Sequence, residues 1–316
     1  MTLKCASFFA GVGGIDLAFA QAGFEIVYAN EIDKYAVQTF RANHPDILDH
    51  RSICEISASE LPDFDVMLAG FPCQAFSVAG HRKGFADKGR GDLFFELERI
   101  FLAKQPQIIF LENVKNLVGH DQGRTFAIIK QTLQEHGYHL KYQVLNACEY
   151  GNIPQNRERI YIVCFKDPAL MEKFTFPEKL ELTTQITDLL QDEASIESKY
   201  YYTSKTPFFA KLTEEIKDAK TLYQWRRQYV RANKSNLCPT LTANMGTGGH
   251  NVPLLNVQGR KDTIRKLTPR ECFNFQGFPD DFVLPPLSNA NLYKQAGNSV
   301  VVPVIRRIAE QIKKVL

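Results

Sequence analysis

An alternation of short apolar runs with amphipathic segments, which continues from Lys4 to Phe165, most constrains how this chain can fold. The apolar runs that predict strands are Lys4–Phe8, Glu25–Ala29, Val66–Ala69, Ile108–Leu111, Leu140–Asn146 and Ile160–Phe165. The amphipathic patterns that predict helices lie near Ile15–Ala22, Lys34–Ala42, Leu93–Ala103 and Thr125–His136. Because strands that alternate with helices form parallel sheets, we predict an α/β fold with a doubly wound, mostly parallel sheet and helices on both faces.

The rest of the chain has a different pattern. From about Asp167 to Arg260 the periodicity loosens and turn residues become frequent, whereas an apolar-periodic helix is predicted at Val300–Leu316. This change indicates a second, smaller domain with irregular strands. The predicted parts are an α/β domain at residues 1–169, a β-rich domain at 170–262 and a return segment at 263–316.

Charge is distributed unevenly along the chain. The net charge is only +3, but residues 199–270 hold fourteen Lys or Arg and four Asp or Glu, so this segment carries +10 and the remainder −7. Such a basic segment favours a polyanionic partner, nucleic acid first. The alternative is a solvated surface that happens to be basic. Aromatic residues interleaved with the charges favour nucleic acid: Tyr200, Tyr201, Tyr202, Tyr223, Trp225 and Tyr229.

Cysteine usage and hydropathy indicate the compartment. The seven cysteines are odd in number and lack C-x-x-C spacing, which suits a reducing cytosol and argues against a zinc site or a disulfide framework. No stretch approaches the ~20 apolar residues of a membrane span. The chain enters a strand directly after Lys4, so no secretory signal is expected. We therefore predict a cytoplasmic protein without a metal or a membrane partner.

Cys73 follows the predicted strand Val66–Ala69, in the run Gly-Phe-Pro-Cys-Gln that begins at Gly70. Parallel sheets place their chemistry on the loops after strands, and a thiolate forms beside a cationic partner. Taken alone, Cys73 would more often be a small buried hydrophobe. The remaining motifs favour a nucleophile.

A cofactor is indicated by two motifs at the ends of the first two strands. Phe9-Ala10-Gly11-Val12-Gly13-Gly14 lets the backbone pack close to a nucleotide, and Glu31 can accept hydrogen bonds from ribose hydroxyls. Together they predict a cofactor that contains adenosine. Position 16 is Asp where a dinucleotide fingerprint has its third glycine, which weakens the case for a nicotinamide cofactor.

Three further motifs carry polar side chains. Glu112 ends the strand expected beside the cysteine strand and could donate a proton to a heterocycle. Strand alternation would place Arg157 and Arg159 on one face, where both could bind a phosphate or a carboxylate. Asn298 or Ser299 could cap the last helix, or could equally face a ligand.

The order of these motifs resembles the DNA cytosine-5 methyltransferases, notably the bacterial enzymes of type II restriction–modification systems. The resemblance spans nearly the whole chain. It rests on Pro72-Cys73-Gln74, Glu112-Asn113-Val114, Gln155-x-Arg157-x-Arg159, Arg265 to Glu271, Gln276-Gly277-Phe278-Pro279 and Gly297-Asn298-Ser299-Val300. It implies a Rossmann-like, S-adenosylmethionine-dependent fold in which residues 170–262 form the target-recognition domain and the final helix packs on the catalytic domain.

The resemblance also implies roles for the cofactor residues. Glu31 resembles the ribose acceptor and Ile32 the apolar wall against adenine. Ser52 departs from the Asp that the family often has before Ile53 at the adenine edge. The implied cofactor-binding residues are Phe9, Gly11, Gly13, Glu31, Ile32, Ser52, Ile53, Pro72, Leu93, Asn298, Ser299 and Val300. The product would be S-adenosylhomocysteine.

The implied chemistry explains why these residue types occur together. Cys73 would attack C6 of cytosine and make C5 nucleophilic, while a protonated Glu112 would hydrogen-bond N3 and the exocyclic amine. Arg159, or Arg157, would bind the O2 side. The target base must be flipped out of double-stranded DNA, since its ring face is hidden in the duplex.

The implied DNA contacts lie on a mobile lid from about Ala75 to Gly91 and in the target-recognition domain. They are Gln74, Ser77, Arg82, Lys83, Arg90, Arg226, Arg227, Arg231, Thr242, Gly248 and His250. A monomer is expected, since flipping one base needs no symmetry. A restriction endonuclease encoded nearby would be a functional counterpart rather than a bound partner.

Three alternatives remain open. A tRNA methyltransferase of the same superfamily would carry Cys-Phe-Thr in its recognition region, whereas here Cys272-Phe273 is followed by Asn274 and lies outside that region. A nicotinamide dehydrogenase would leave Cys73 and Glu112 without a role. An inactive DNA-binding module would be expected to lack one of those two residues.

Overall fold

The computed structural model describes residues 2–72, 93–233, 236–246, 252–257 and 263–316. The chain forms two compact units. The first consists of Met1–Leu145, Glu158–Glu178 and Ile305–Leu316, and the second of Asn146–Arg157 and Lys179–Val304.

The strands and helices are numbered along the described residues. The strands are β1 (Lys4–Phe8), β2 (Glu25–Asn30), β3 (Leu48–Asp49), β4 (Val66–Ala69), β5 (Ile108–Val114), β6 (His139–Asn146), β7 (Gln155–Asn156), β8 (Glu158–Phe165), β9 (Tyr223–Trp225), β10 (Val230–Ala232), β11 (Cys238–Pro239), β12 (Leu254–Asn256) and β13 (Ile264–Lys266). The helices are α1 (Gly14–Gln21), α2 (Lys34–Arg41), α3 (Leu93–Lys104), α4 (Arg124–Glu135), α5 (Ala147–Tyr150), α6 (Pro168–Lys173), α7 (Phe209–Glu215), α8 (Pro269–Asn274), α9 (Asn289–Asn298) and α10 (Val302–Lys314).

A seven-stranded sheet in the order β3-β2-β1-β4-β5-β8-β6 organises the first unit. The pairs β1–β2, β1–β4, β2–β3 and β4–β5 are parallel, and β8 runs antiparallel to β5. The central strand β4 is buried along its whole length, which explains its continuous apolar sequence. The predicted fold class is therefore confirmed.

The second unit contains a four-stranded antiparallel sheet in the order β10-β9-β12-β13. Its core includes Leu212, Trp225 and Ile264, and the ring of Phe208 stacks on that of Trp225 at 4.7 Å between centroids. This small sheet is the irregular β-rich structure expected from the sequence.

The two units do not follow the predicted boundaries of 1–169, 170–262 and 263–316. Asn146–Arg157 lies in the second unit, as does most of the return segment. Main-chain pairing is one reason, since Cys238 N donates to Pro154 O and β11 pairs with β7. The assignment of functions to three domains stays a prediction.

In the described part of the chain, no helix combines the length and apolar character that crossing a membrane would require.

A fully buried carboxyl group lies within the first unit. Asp16, in the first turn of α1, is fully buried, and Ser7 Oγ donates to its Oδ2 at 3.0 Å. Burial raises the pKa of Asp16 to about 7, and the Ser7 hydrogen bond offsets only part of that rise.

Replacing Asp16 by asparagine should remove a pH-dependent loss of stability. Between pH 4 and 7 the unfolded chain ionises Asp16 while the folded chain keeps it protonated, so wild-type stability falls as pH rises. Three pKa units at 1.36 kcal/mol each set an upper bound of about 4 kcal/mol. Urea unfolding at pH 5 and pH 8 should show the stability difference between Asp16→Asn and wild type growing with pH. The exposed Asp46→Asn serves as control, and a difference that does not depend on pH would contradict the assignment.

Candidate functional site

The predicted cofactor loop after β1 passes through the left-handed region of backbone conformation. Phe9, Gly11 and Gly13 all have positive φ angles, of 56°, 60° and 86°. A Cβ atom at Gly13 would lie 2.1 Å from the His44 ring, whereas one at Gly11 would meet nothing within 4 Å. Gly13 is therefore required by packing, and the backbone at Gly11 borders open space that a ligand could occupy.

The carboxylate of Glu31, directly after β2, is held by two main-chain donors. Gly11 N donates to Oε2 and Asp33 N donates to Oε1, each at 2.7 Å. These bonds fix the orientation of the carboxylate beside the glycine loop. Each oxygen keeps a lone pair with which it could accept a hydrogen bond from a ribose hydroxyl.

Ile32 stands next to Glu31 with 63% of its surface exposed, which is unusual for a large apolar side chain. Asn30, whose role was not evident from the sequence, holds the neighbouring segment in place. Its Nδ2 donates to the carbonyls of Asp49 and Arg51 at 3.1 and 2.8 Å. The end of β2 and the segment that leads to Ser52 therefore lie side by side.

Ser52 and Ile53 stand at the start of a short 3-10 turn. The Ser52 hydroxyl caps this turn over Ile53–Glu55 by accepting from Cys54 N, and Ser52 N donates to Glu55 Oε2 at 3.2 Å. Ile53 is buried in the core of the first unit. Pro72 is exposed at the end of the described segment after β4, and Leu93 is half-buried at the start of α3.

Glu112 and Arg159 form an ion pair across two adjacent antiparallel strands. Glu112 lies opposite Tyr161 and Arg159 opposite Val114, so the two charged side chains are diagonal neighbours on one face. Arg159 Nε lies 3.2 Å from Glu112 Oε1, and the side chains are only 14% and 11% exposed. A Cβ atom at Gly70 would lie 3.6 Å from Glu112 Oε2. Glu112 therefore lies beside the end of the strand that leads into Cys73.

Asn113 is a second residue to which the sequence assigned no role. Its Nδ2 donates to Phe71 O at 2.8 Å, and its Oδ1 accepts from Val114 N at 2.8 Å. The side chain is 3% exposed. Asn113 thus ties the strand that carries Glu112 to the residue two positions before Cys73. In the sequence, its position directly after the candidate acid Glu112, at the end of a predicted strand, could have indicated this role.

The contacts of Arg157 differ from those predicted from the sequence. Arg157 is 3% exposed, and its Nη atoms donate to the carbonyls of Leu241, Gly297 and Ser299 within the second unit. Arg159 instead contacts Glu112, so the prediction that both guanidinium groups converge on one ligand is wrong. The strand is interrupted at Arg157, between β7 and β8, and side-chain alternation does not hold across that break.

The Asn298–Val300 segment ends one helix rather than capping the next. Asn298 is the last residue of α9, Ser299 is its C-cap, and α10 starts only at Val302. Of the two alternatives for Asn298 and Ser299, the one in which either caps the final helix is therefore wrong, and a contact with a ligand stays a prediction. Ser299 and Val300 are buried, at 8% and 6% exposure.

Three of the basic residues predicted to contact DNA lie at an exposed hairpin of the second unit. Arg226 and Arg227 follow β9, Arg231 lies in β10, and all three are exposed. Arg227 has a φ of 65°, and Tyr229 beside it is 57% exposed. Thr242 is also exposed, and its hydroxyl donates to Asn244 Oδ1 at 2.7 Å.

Several predicted site residues lie outside the described residues: Cys73, Gln74, Ser77, Arg82, Lys83, Arg90, Gly248 and His250. Among the residues that are described, no group of three or more His, Cys, Asp or Glu could hold a metal ion.

Comparison with known proteins identifies the family. A family model described as C-5 cytosine-specific DNA methylase matches residues 3–314. This chain belongs to the C-5 cytosine-specific DNA methylases. As a member, it transfers methyl groups to C5 of cytosine in DNA. Methylases of this kind use S-adenosylmethionine.

Two curated relatives are similar over almost the whole methylase. The Type II methyltransferase M.Bsp6I of Bacillus sp. (strain RFL6) is 60% identical over 314 residues, which cover 99% of each chain. The Type II methyltransferase M.HhaI of Haemophilus parahaemolyticus is 39% identical over 325 residues, which cover 98% of this chain and 94% of that protein.

Solved structures share the fold. S. pombe Dnmt2 methyltransferase matches with a TM-score of 0.75 at 20% identity, covering 99% of this chain and 98% of that one. A Spodoptera frugiperda DNMT2 mutant matches with a TM-score of 0.76 at 19% identity, covering 99% of this chain and all of the other.

Truncating Ile32 should weaken cofactor binding without destabilising this methylase. Its side chain is mostly exposed, so Ile32→Ala removes little buried surface from the folded protein. Loss of an apolar wall should cost about 1–2 kcal/mol in binding, or roughly a 5- to 30-fold rise in Kd. Calorimetric titration with S-adenosylhomocysteine measures this. Leu102→Ala, at another partly exposed apolar residue, is the control, and equal Kd values for all three proteins would exclude the role.

Proposed function

We propose that this methylase is a sequence-specific enzyme that bonds Cys73 Sγ to C6 of a cytosine flipped out of duplex DNA. The Glu112–Arg159 pair supports the proposal best. Its two polar side chains have opposite charge and are largely shielded from water, and Glu112 lies beside the strand end that precedes Cys73. This is the arrangement that a planar base with ring nitrogens and a carbonyl oxygen requires.

The chemical steps follow from the needs of the cytosine ring. Formation of the Sγ–C6 bond moves the C5–C6 electron pair toward C5, which then takes the methyl group. A protonated Glu112 hydrogen-bonds N3 and the exocyclic amine, and Arg159 donates to O2, so the charge that develops on the ring is offset. A base then removes the C5 proton, and the Sγ–C6 bond breaks as the double bond re-forms.

The cofactor residues of the first unit fit an adenosine group. The backbone at Gly11 would leave room for the cofactor beside the loop. The oriented carboxylate of Glu31 would accept hydrogen bonds from the ribose, and the exposed Ile32 would pack against the adenine. S-adenosylmethionine supplies the methyl group when bound. The other predicted members of this site stay predictions: Phe9, Gly13, Ser52, Ile53, Pro72, Leu93, Asn298, Ser299 and Val300.

DNA would be read by the second unit. The exposed hairpin with Arg226, Arg227 and Arg231 can contact phosphates or guanine edges, and Thr242 belongs to the segment that resembles the recognition-loop core. Because the curated relatives are named Type II methyltransferases, we infer that this methylase protects host DNA in a restriction–modification system. A monomer in the cytoplasm stays a prediction from the sequence.

Bisulfite sequencing of plasmid DNA from a methylation-free host that expresses this chain tests the proposal. Cytosines protected within one short motif would establish sequence-specific C5 methylation and define the motif. Uniform conversion, with folded protein present, would contradict it and direct attention to tRNA, which should then be tested for methyl incorporation.

A further inference from the structure

Two side chains of the Gln155-Asn156-Arg157 segment form hydrogen bonds with the main chain of one residue, Leu241. Gln155 Oε1 accepts from Leu241 N at 3.2 Å, and Arg157 Nη1 donates to Leu241 O at 2.7 Å. Thr240 Oγ1 also donates to Asn156 O at 2.5 Å. Gln155 is 0% exposed and Arg157 3%. The start of the exposed Thr242 segment is therefore positioned by buried groups more than eighty residues away in sequence.

The same guanidinium of Arg157 holds a second segment. Its Nη2 donates to Gly297 O at 3.1 Å and also to Ser299 O. One buried cation thus bridges the carbonyls of Leu241 and of Gly297 and Ser299. Donation from a guanidinium to several carbonyls holds both segments in one geometry, because its donors have a fixed planar arrangement.

The two bridged segments also touch directly. A Cβ atom at Gly297 would lie 2.1 Å from the Thr242 carbonyl carbon and 2.5 Å from Ala243 N. Only a glycine allows the main chains to approach this closely, so a displacement of one segment must move the other.

We propose that Arg157 is a positioning residue that couples DNA recognition to cofactor binding. It does so by joining the Thr240–Ala243 segment, which carries Thr242, to the Gly297–Ser299 segment, which carries predicted cofactor contacts. This inference rests on the proposed function, which assigns DNA to the first segment and S-adenosylmethionine to the second. A ligand that orders one segment then orders the other, so each ligand raises the affinity for its counterpart.

Calorimetry on the full-length enzyme tests the coupling. The Kd of S-adenosylhomocysteine is measured with and without a duplex that carries the motif recognised by the enzyme. The ratio of the Kd without the duplex to the Kd with it is the coupling factor. Wild type should show a factor of about 5 or more, and Arg157→Lys should bring it close to 1, since an ammonium cannot bridge both segments. Arg265→Lys is the matched control, because Arg265 is a fully buried arginine of the same unit that pairs with Glu271.

The outcomes separate coupling from folding. A coupling factor retained in Arg157→Lys, or lost equally in Arg265→Lys at a similar change in Tm, would overturn the proposal, as would a wild-type factor of 1. If Arg157→Lys does not fold, Gly297→Ala replaces it, because its methyl group forces the segments apart and should also lower the factor. Wild-type enzyme that binds neither duplex nor S-adenosylhomocysteine would instead refute the proposed function.

Discussion

Cys73→Ala should lose at least about 10⁴-fold in methyl transfer while still binding duplex DNA. In the proposed mechanism the Sγ–C6 bond makes C5 of cytosine reactive toward the methyl group, so removing the thiol should stop the transfer. Transfer of a radiolabelled methyl group to a duplex with the recognised motif measures the rate, and fluorescence anisotropy measures DNA binding. Cys54→Ala is the control, because Cys54 is an exposed thiol of the first unit and should leave the rate unchanged.

Trapping the adduct distinguishes a nucleophile from a packing residue. A duplex with 5-fluorocytosine has no C5 proton to lose, so wild type should retain the Sγ–C6 bond and run as a denaturation-resistant complex with DNA. Cys73→Ala should form none. Residual turnover near the wild-type rate, or an adduct in Cys73→Ala, would show that another group attacks C6.

Glu112→Gln should lower kcat by about 10²- to 10⁴-fold with a smaller effect on the KM for DNA. The amide keeps the shape of the side chain and can donate one hydrogen bond, but it cannot ionise and loses the charge attraction to Arg159 at 3.2 Å. The substitution therefore tests whether catalysis needs the proton and the charge of the carboxyl group, because the size of the side chain is unchanged. Steady-state kinetics with duplex DNA give kcat and KM separately.

Glu158→Gln is the matched control for that experiment. Glu158 is the residue next to Arg159, is 41% exposed and pairs with Lys115 on the surface, where an ion pair contributes little. Its kcat should stay within a factor of two of wild type. A Glu112→Gln enzyme whose kcat also stays within a factor of two of wild type would show that neither the proton nor the charge of Glu112 is needed for catalysis.

The sequence alone determined the sheet and the position of its motifs. Predicted strands Lys4–Phe8 and Val66–Ala69 have the observed bounds, and Ile108–Leu111 only lengthens, to Val114. Buried parallel strands must be apolar along their whole length, so the sequence shows them as continuous apolar runs between turn residues. Chemistry-bearing residues then follow at strand ends, which is why Glu31 and Glu112 could be found.

Only the tertiary structure decided what those side chains contact. Strand alternation placed Arg157 beside Arg159, but the strand is interrupted at that residue, and Arg157 turns to carbonyls 84 and 140 residues away. Asn113 and Gln155 acquire their roles in the same way, from main-chain groups of distant segments. Local periodicity reports which face of an element is buried; which donor meets which carbonyl depends on how distant segments pack, and no local pattern records that.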